Sequence, residues 1–145
     1  MLECLILGDS IAVGTHMARP ECTAYAKGGI NTWQFNKMYP GEFFSDVVII
    51  SLGSNDHRGV KTKKELEALR SRVTVKSKVV WILPSGNLAA SGVKISDINQ
   101  FISEIAKTNG DAVIGLSSDL VSPDGIHPTP KGYRWIATNT KGIKK

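Results

Sequence analysis

Five short apolar runs, each closed by glycine and small polar residues, constrain this chain more than any other feature. They occupy residues 2–7, 22–26, 46–52, 78–83 and 112–116, with 46–52 the clearest and 22–26 the weakest. Most are near-continuous and rich in Val and Ile, without strict polar alternation. Central strands of a parallel sheet have this character, because both of their faces are covered. Helical patterns separate the runs. Thr62 to Glu65 fits a capping box, with Thr62 as N-cap, and Leu66, Leu69 and Val73 follow at helical spacing. Ile98, Ile102 and Ile105 make a second stripe, opened by Ser96 and stopped by Asn109-Gly110. Thr129-Pro130 opens a last helix whose Tyr133 and Ile136 face the core. A short helix over 32–38 carries Trp33 and Phe35. Strands alternating with helices predict an α/β fold: a parallel sheet with right-handed crossovers and helices on both faces.

At 145 residues the expected organisation is one domain, 1–145, able to bury a core without staples. The chain is too short for a (β/α)₈ barrel, which takes roughly 250 residues. No apolar run approaches the roughly 20 residues of a membrane-spanning helix. The first run leads straight into Gly8-Asp9-Ser10, so it reads as a strand rather than a secretion leader, and a cytoplasmic monomer is expected. Cys4 and Cys22 form neither a disulfide framework nor a zinc spacing, and buried free thiols are expected. A bridge between them requires the first two strands to be neighbours in register. No cluster has metal-ligand spacing, so neither metal nor cofactor is expected. The net charge of +5 includes Lys61, Lys63 and Lys64 and a tail of Lys141, Lys144 and Lys145. Without aromatic interleaving these read as solvated surface, not as a nucleic-acid footprint.

In open α/β sheets ligands bind beyond the carboxyl ends of the strands. The residues there are Gly8-Asp9-Ser10, Gly28-Gly29-Ile30-Asn31, Gly53-Ser54-Asn55-Asp56, Pro84-Ser85-Gly86-Asn87 and, before the last helix, Asp124-Gly125-Ile126-His127-Pro128. One edge thus gathers a serine, backbone amides, an asparagine, an aspartate and a histidine. A serine hydroxyl becomes a useful nucleophile when a base takes its proton. A histidine does this near neutral pH, and a carboxylate sets its tautomer. Asp124 and His127 share one turn-rich loop, within reach of a direct hydrogen bond. Asp9 and Asp56 read as braces of the loops, His57 as an exposed loop residue and His16 as surface. Trp33, Trp81 and Trp135 read as core or rim aromatics rather than a sugar platform.

Four blocks in order, Gly8-Asp9-Ser10-Ile11, Gly28-Gly29, Gly53-Ser54-Asn55-Asp56 and Asp124-Gly125-Ile126-His127-Pro128, span nearly the whole chain. In this the sequence resembles the SGNH hydrolases, also called the GDSL family. The resemblance implies a flavodoxin-like three-layer α/β/α sandwich with strand order 2-1-3-4-5. It implies Ser10 as nucleophile, His127 as general base and Asp124 as its partner. The oxyanion hole would comprise the Ser10 and Gly29 N–H groups and the Asn55 amide. Three departures stand out. Ile11 replaces the family's leucine. Gly28 competes with Gly29, which Thr32 downstream favours. The shortness of the chain leaves little room for a lid. The Gly-x-Ser-x-Gly elbow of the other large hydrolase fold is absent. The expected activity is serine ester hydrolysis of short acyl, above all acetyl, esters on small molecules or carbohydrate. The alternatives are a lipolytic esterase or thioesterase and, in another class, a glycan-binding module with vestigial turnover.

Overall fold

The strand order of the central sheet is β2-β1-β3-β4-β5, all parallel, as the resemblance implies. The computed structural model describes residues 3–87 and 92–141. Its strands are β1 (Cys4–Gly8), β2 (Thr23–Ala26), β3 (Phe43–Ser51), β4 (Val73–Ile82) and β5 (Ala112–Ile114). Its helices are α1 (Ser10–Ala18), α2 (Thr32–Met38), α3 (Thr62–Ser71), α4 (Ile95–Asn109) and α5 (Pro130–Thr140).

The apolar run of β3 explains the layers. Its side chains alternate across the sheet. Val48 and Ile50 enter a core shared with α2, α3 and α4, while Val47 and Ile49 enter one shared with α1 and α5. All four are buried. Burying each such side chain contributes roughly 1.5–3 kcal/mol, which makes the central strand the main anchor of both cores.

Strands β3 and β4 begin earlier than their apolar runs. Phe43, Phe44 and Ser45 pair with Val73, Thr74 and Val75 before the register shifts between Ser45 and Val47. Ser45 and Asp46 in β3 and Lys76, Ser77 and Lys78 in β4 interrupt the apolar signal there, while Phe44 is 62% exposed with the Lys76 ammonium over its ring. Helix starts also differ from expectation. Lys61, not Thr62, is the N-cap of α3 and makes no side-chain cap. The Thr62 hydroxyl donates instead to Asp56, and Glu65 accepts from the Asn36 amide. Likewise Lys94 precedes α4, and Ser96 lies within that helix. The structure's capping box belongs to α2, where Asn31 and Gln34 satisfy each other's backbone N–H groups. Thr129 and Pro130 open α5, and Gly110 (φ +70°) ends α4, both as the sequence predicts.

Cys4 and Cys22 form a disulfide, which corrects the expectation of free thiols. The cause is register. Leu5 pairs with Thr23, so the two preceding residues stand side by side with Cα atoms 4.8 Å apart. Arg19 lies beside them and donates to the carbonyl and hydroxyl of Thr140, tying the α1 end to the α5 end.

Candidate active site

The end of β1 is held close to β3. Gly8 adopts φ +148°, and a Cβ there would stand 1.9 Å from the Ser51 carbonyl oxygen. Only glycine permits that approach. The chain then turns, and Asp9 caps α1 by accepting the Ile11 N–H at 3.0 Å. Ser10 becomes the first helical residue, so its own N–H has no partner within the helix.

The Asp124–His127 turn faces it from the other side. Ser10 Oγ and His127 Nε2 are 2.9 Å apart, and His127 Nδ1 lies 2.7 Å from Asp124 Oδ2. The other oxygen of Asp124 accepts the N–H groups of Ile126 and His127 at 2.8 and 2.9 Å. Backbone donation from Ile126, followed by the His127 side chain and the His127 N–H, holds the Asp124 carboxyl at about 2. It therefore remains ionised at any ordinary working pH. With Nδ1 donating to that carboxylate, Nε2 is left to accept from the Ser10 hydroxyl. The site is shallow: the His127 and Asp124 side chains are 43% and 47% exposed.

Asn55 stands at the end of β3. One N–H of its side-chain amide goes to the Ile30 carbonyl at 3.0 Å, and an amide nitrogen carries two. Gly29 is left-handed at φ +80°, while the Cα of Gly28 faces Ser10 closely enough that an added Cβ would stand 3.8 Å from the serine Cβ. Both glycines thus belong to the same rim.

The two remaining aspartates brace, as expected. Asp56 is fully buried and accepts the Thr32 N–H, the Thr32 hydroxyl and the Thr62 hydroxyl at 2.9, 2.8 and 2.6 Å. It ties the starts of α2 and α3 to the Asn55 loop. Neither role shows in the sequence: Thr32 has its partner 24 residues away, and Thr62 has the pattern of a helix N-cap although its partner lies six residues back. Asp9 is also fully buried, and burial pushes its carboxyl up to about 7 against the pull of the Ile11 and Ala12 N–H groups.

The decoys separate cleanly. His57 is exposed, with Nδ1 accepting from the Gly59 N–H, while its neighbour Asp56 faces inward. His16 is half-buried on α1. Trp81 is buried and donates to Asp111, Trp135 is half-buried, and Trp33 stands 49% exposed.

Solved structures share this arrangement of elements. A lipolytic protein of the G-D-S-L family from Veillonella parvula is 15% identical, with 94% of each chain covered and a TM-score of 0.67. A GDSL-like lipase from Bacteroides thetaiotaomicron is 17% identical over 94% of this chain and 84% of its own, with a TM-score of 0.68. The chain has the SGNH (GDSL) hydrolase fold. No protein-family model and no curated protein matches the sequence. Within the SGNH fold, Ser10, Asn55 and the Asp124–His127 turn occupy the carboxyl edge of the sheet, where open α/β folds hold their ligands. Among the described residues no helix is long and apolar enough to cross a membrane.

Proposed function

We propose that this chain is a one-domain serine ester hydrolase of the SGNH family that removes short acyl groups, acetyl above all, from carbohydrate. The observation that carries the reading is the relay Asp124–His127–Ser10, with hydrogen-bond distances of 2.7 and 2.9 Å. In this mechanism Ser10 Oγ attacks the ester carbonyl carbon as His127 Nε2 takes the hydroxyl proton. The carbonyl electrons move onto oxygen. That oxyanion meets the Ser10 N–H, the Gly29 N–H and the second N–H of Asn55. Collapse expels the alcohol, which receives its proton from His127, and leaves the acyl group on Ser10. Water then attacks the acyl carbon as His127 takes its proton, and collapse breaks the bond to Ser10 Oγ, which recovers that proton from His127 as the acid leaves.

The exposure of the His127 and Asp124 side chains, which leaves the reacting groups open to solvent, favours a small acyl group. A second reading has its own support. A cavity of about 500 Å³, lined by Leu83, Pro84, Leu116, Val121 and Gly125, lies beside the His127 turn. It suits a longer acyl chain and a lipolytic esterase. The disulfide argues for an oxidising compartment rather than the cytosol, where thiols stay reduced.

A series of p-nitrophenyl esters tests both readings. Short-acyl hydrolysis predicts an optimum at about two to four carbons, since an open site gains little from further methylenes at about 0.8 kcal/mol each. An optimum at about eight carbons or beyond would transfer the assignment to the lipolytic reading. Ser10→Ala should be inactive while folded, and the wild type should be labelled on Ser10 by a fluorophosphonate. A folded Ser10→Ala protein with normal turnover would remove Ser10 from the mechanism.

A further inference from the structure

A cavity of about 700 Å³ opens where α3 and α4 begin. Its walls carry Arg58, Lys61, Lys64 and Lys94, all exposed, and no described carboxylate lies within ion-pairing distance of any of them. Lys63, also on the wall, is the exception, 3.8 Å from Glu104. Glu67 and Asp97 are the carboxylates of the lining, and Val60 and Phe101 are half-buried apolar contacts within it. Like charges crowded in one concavity repel each other and concentrate an anionic ligand there. The helix starts add to this. Lys61 and Lys94 occupy the N-cap positions of α3 and α4 without capping them, which sets cations against the positive ends of two helices. An anion would relieve both repulsions.

The cavity is bordered by the chain segments that follow Asn55 and Ile30. A second hollow of about 460 Å³ shares His57, Val60, Lys61 and Lys64 with it and adds the exposed Trp33. His57 is two residues beyond Asn55, and Trp33 three beyond Ile30, whose carbonyl holds the Asn55 amide. The basic cleft and the Ser10 rim are thus built on the same two loops.

We propose that this cleft binds an acidic polysaccharide, a chain bearing carboxylates on its sugar rings, and so presents an ester of that chain to Ser10. Spaced cations meet the repeated carboxylates, and the face of Trp33 that the Lys37 ammonium does not cover meets a sugar ring. An acidic glycan suits the cleft better than a nucleic acid, because Trp33 stands alone among the cations and gives no series of stacking platforms. It suits it better than a membrane, because the cations line a concavity. The inference names the substrate class for the ester-hydrolase reading and rests on that reading for the step at Ser10.

The test separates binding from turnover. Ser10→Ala protein is titrated with polygalacturonate and, as neutral control, dextran. Polygalacturonate should bind, weaken steeply as salt is raised from about 50 to 500 mM, and dextran should not bind. Adding Arg58→Gln, Lys61→Gln, Lys64→Gln and Lys94→Gln should weaken binding at least roughly tenfold, the scale of several exposed charge pairs lost together. Adding Lys76→Gln, Lys107→Gln and Lys131→Gln, away from the cleft, should not. Equal weakening by both sets, equal binding of dextran, no binding, or preference for single-stranded DNA or phosphatidylglycerol vesicles would each overturn the proposal. Failure of the wild type to hydrolyse p-nitrophenyl acetate would overturn the esterase reading instead, and leaves the binding result to be judged separately.

Discussion

One N–H of the Asn55 amide holds the Ile30 carbonyl, and in the proposed mechanism the other meets the oxyanion. The charge to be stabilised exists only in the transition state. Asn55→Ala should therefore lower kcat about 10²- to 10³-fold with little change in KM, measured on a short-chain ester. A normal kcat with a raised KM would make Asn55 a substrate contact. Asp124→Asn keeps the size of the side chain but can reverse the tautomer of His127, and kcat should fall roughly 10⁴-fold. Because Asp124 is held at about 2, it stays ionised across the working range and gives activity no pH dependence there. Asp9 adds a separate dependence. Its carboxyl, near 7 when folded against 3.8 ordinarily, binds a proton more tightly in the native state. Stability from this group is therefore full below about 4 and is lost as pH rises toward 7. Asp9→Asn retains an oxygen for the Ile11 N–H and removes the ionisation. Melting curves of the variant should decline less than those of the wild type between about pH 5 and pH 8, where the change in Asp9 proton binding falls. Parallel curves would show that Asp9 does not titrate there.

At the level of elements, the site depends on how closely β1 and β3 end together. The Asp9 N–H donates to the Ser51 carbonyl, and Gly8 leaves room for that same oxygen. Gly8→Ala would place a Cβ against backbone that has no side chain to swing aside, in a conformation alanine rarely adopts. A loss of about 4 kcal/mol or more is expected in denaturant unfolding, the range reserved for such steric conflicts. A loss below about 1 kcal/mol would mean that the strand ends move apart easily. The helix starts illustrate a different balance. Thr62 and Glu65 have the chemistry of a capping box, yet both side chains are drawn to partners elsewhere, Asp56 and Asn36. A buried carboxylate without donors is costlier than an uncapped exposed helix end, so the Asp56 contacts prevail.

For the molecule as a whole, the disulfide closes the loop between residues 18 apart and fixes edge strand β2 to β1. In the chain-entropy account a loop of that size contributes roughly 3 kcal/mol. Cys22→Ser should lower Tm by several degrees in non-reducing buffer, and reductant should destabilise the wild type but not the variant. Equal melting of the two oxidised proteins would show that the bridge contributes nothing. The distribution of charge is the other molecular property. The net +5 is not spread evenly, since Arg58, Lys61, Lys64 and Lys94 meet in one cleft from the Asn55 loop and the starts of α3 and α4. In the sequence Lys61 and Lys64 read as part of a solvated basic cluster, and they share a cleft with Lys94 only because α3 and α4 pack side by side.

The alternation of strands and helices is legible in the sequence, because apolar periodicity and stop signals such as Gly110 and Thr129-Pro130 act over a few neighbouring residues. The groups at the strand ends are legible too, since Ser10, Asn55, Asp124 and His127 each follow a recognisable break. Which of them touch depends on how distant elements pack. The Ser10–His127 contact spans 117 residues and depends on α5 returning α1's way across the sheet. The Cys4–Cys22 bridge, the capture of Thr62 by Asp56, and the meeting of Lys61 with Lys94 are decided in the same way. Each pairing is set by register or packing between separate elements, and no local pattern carries that information.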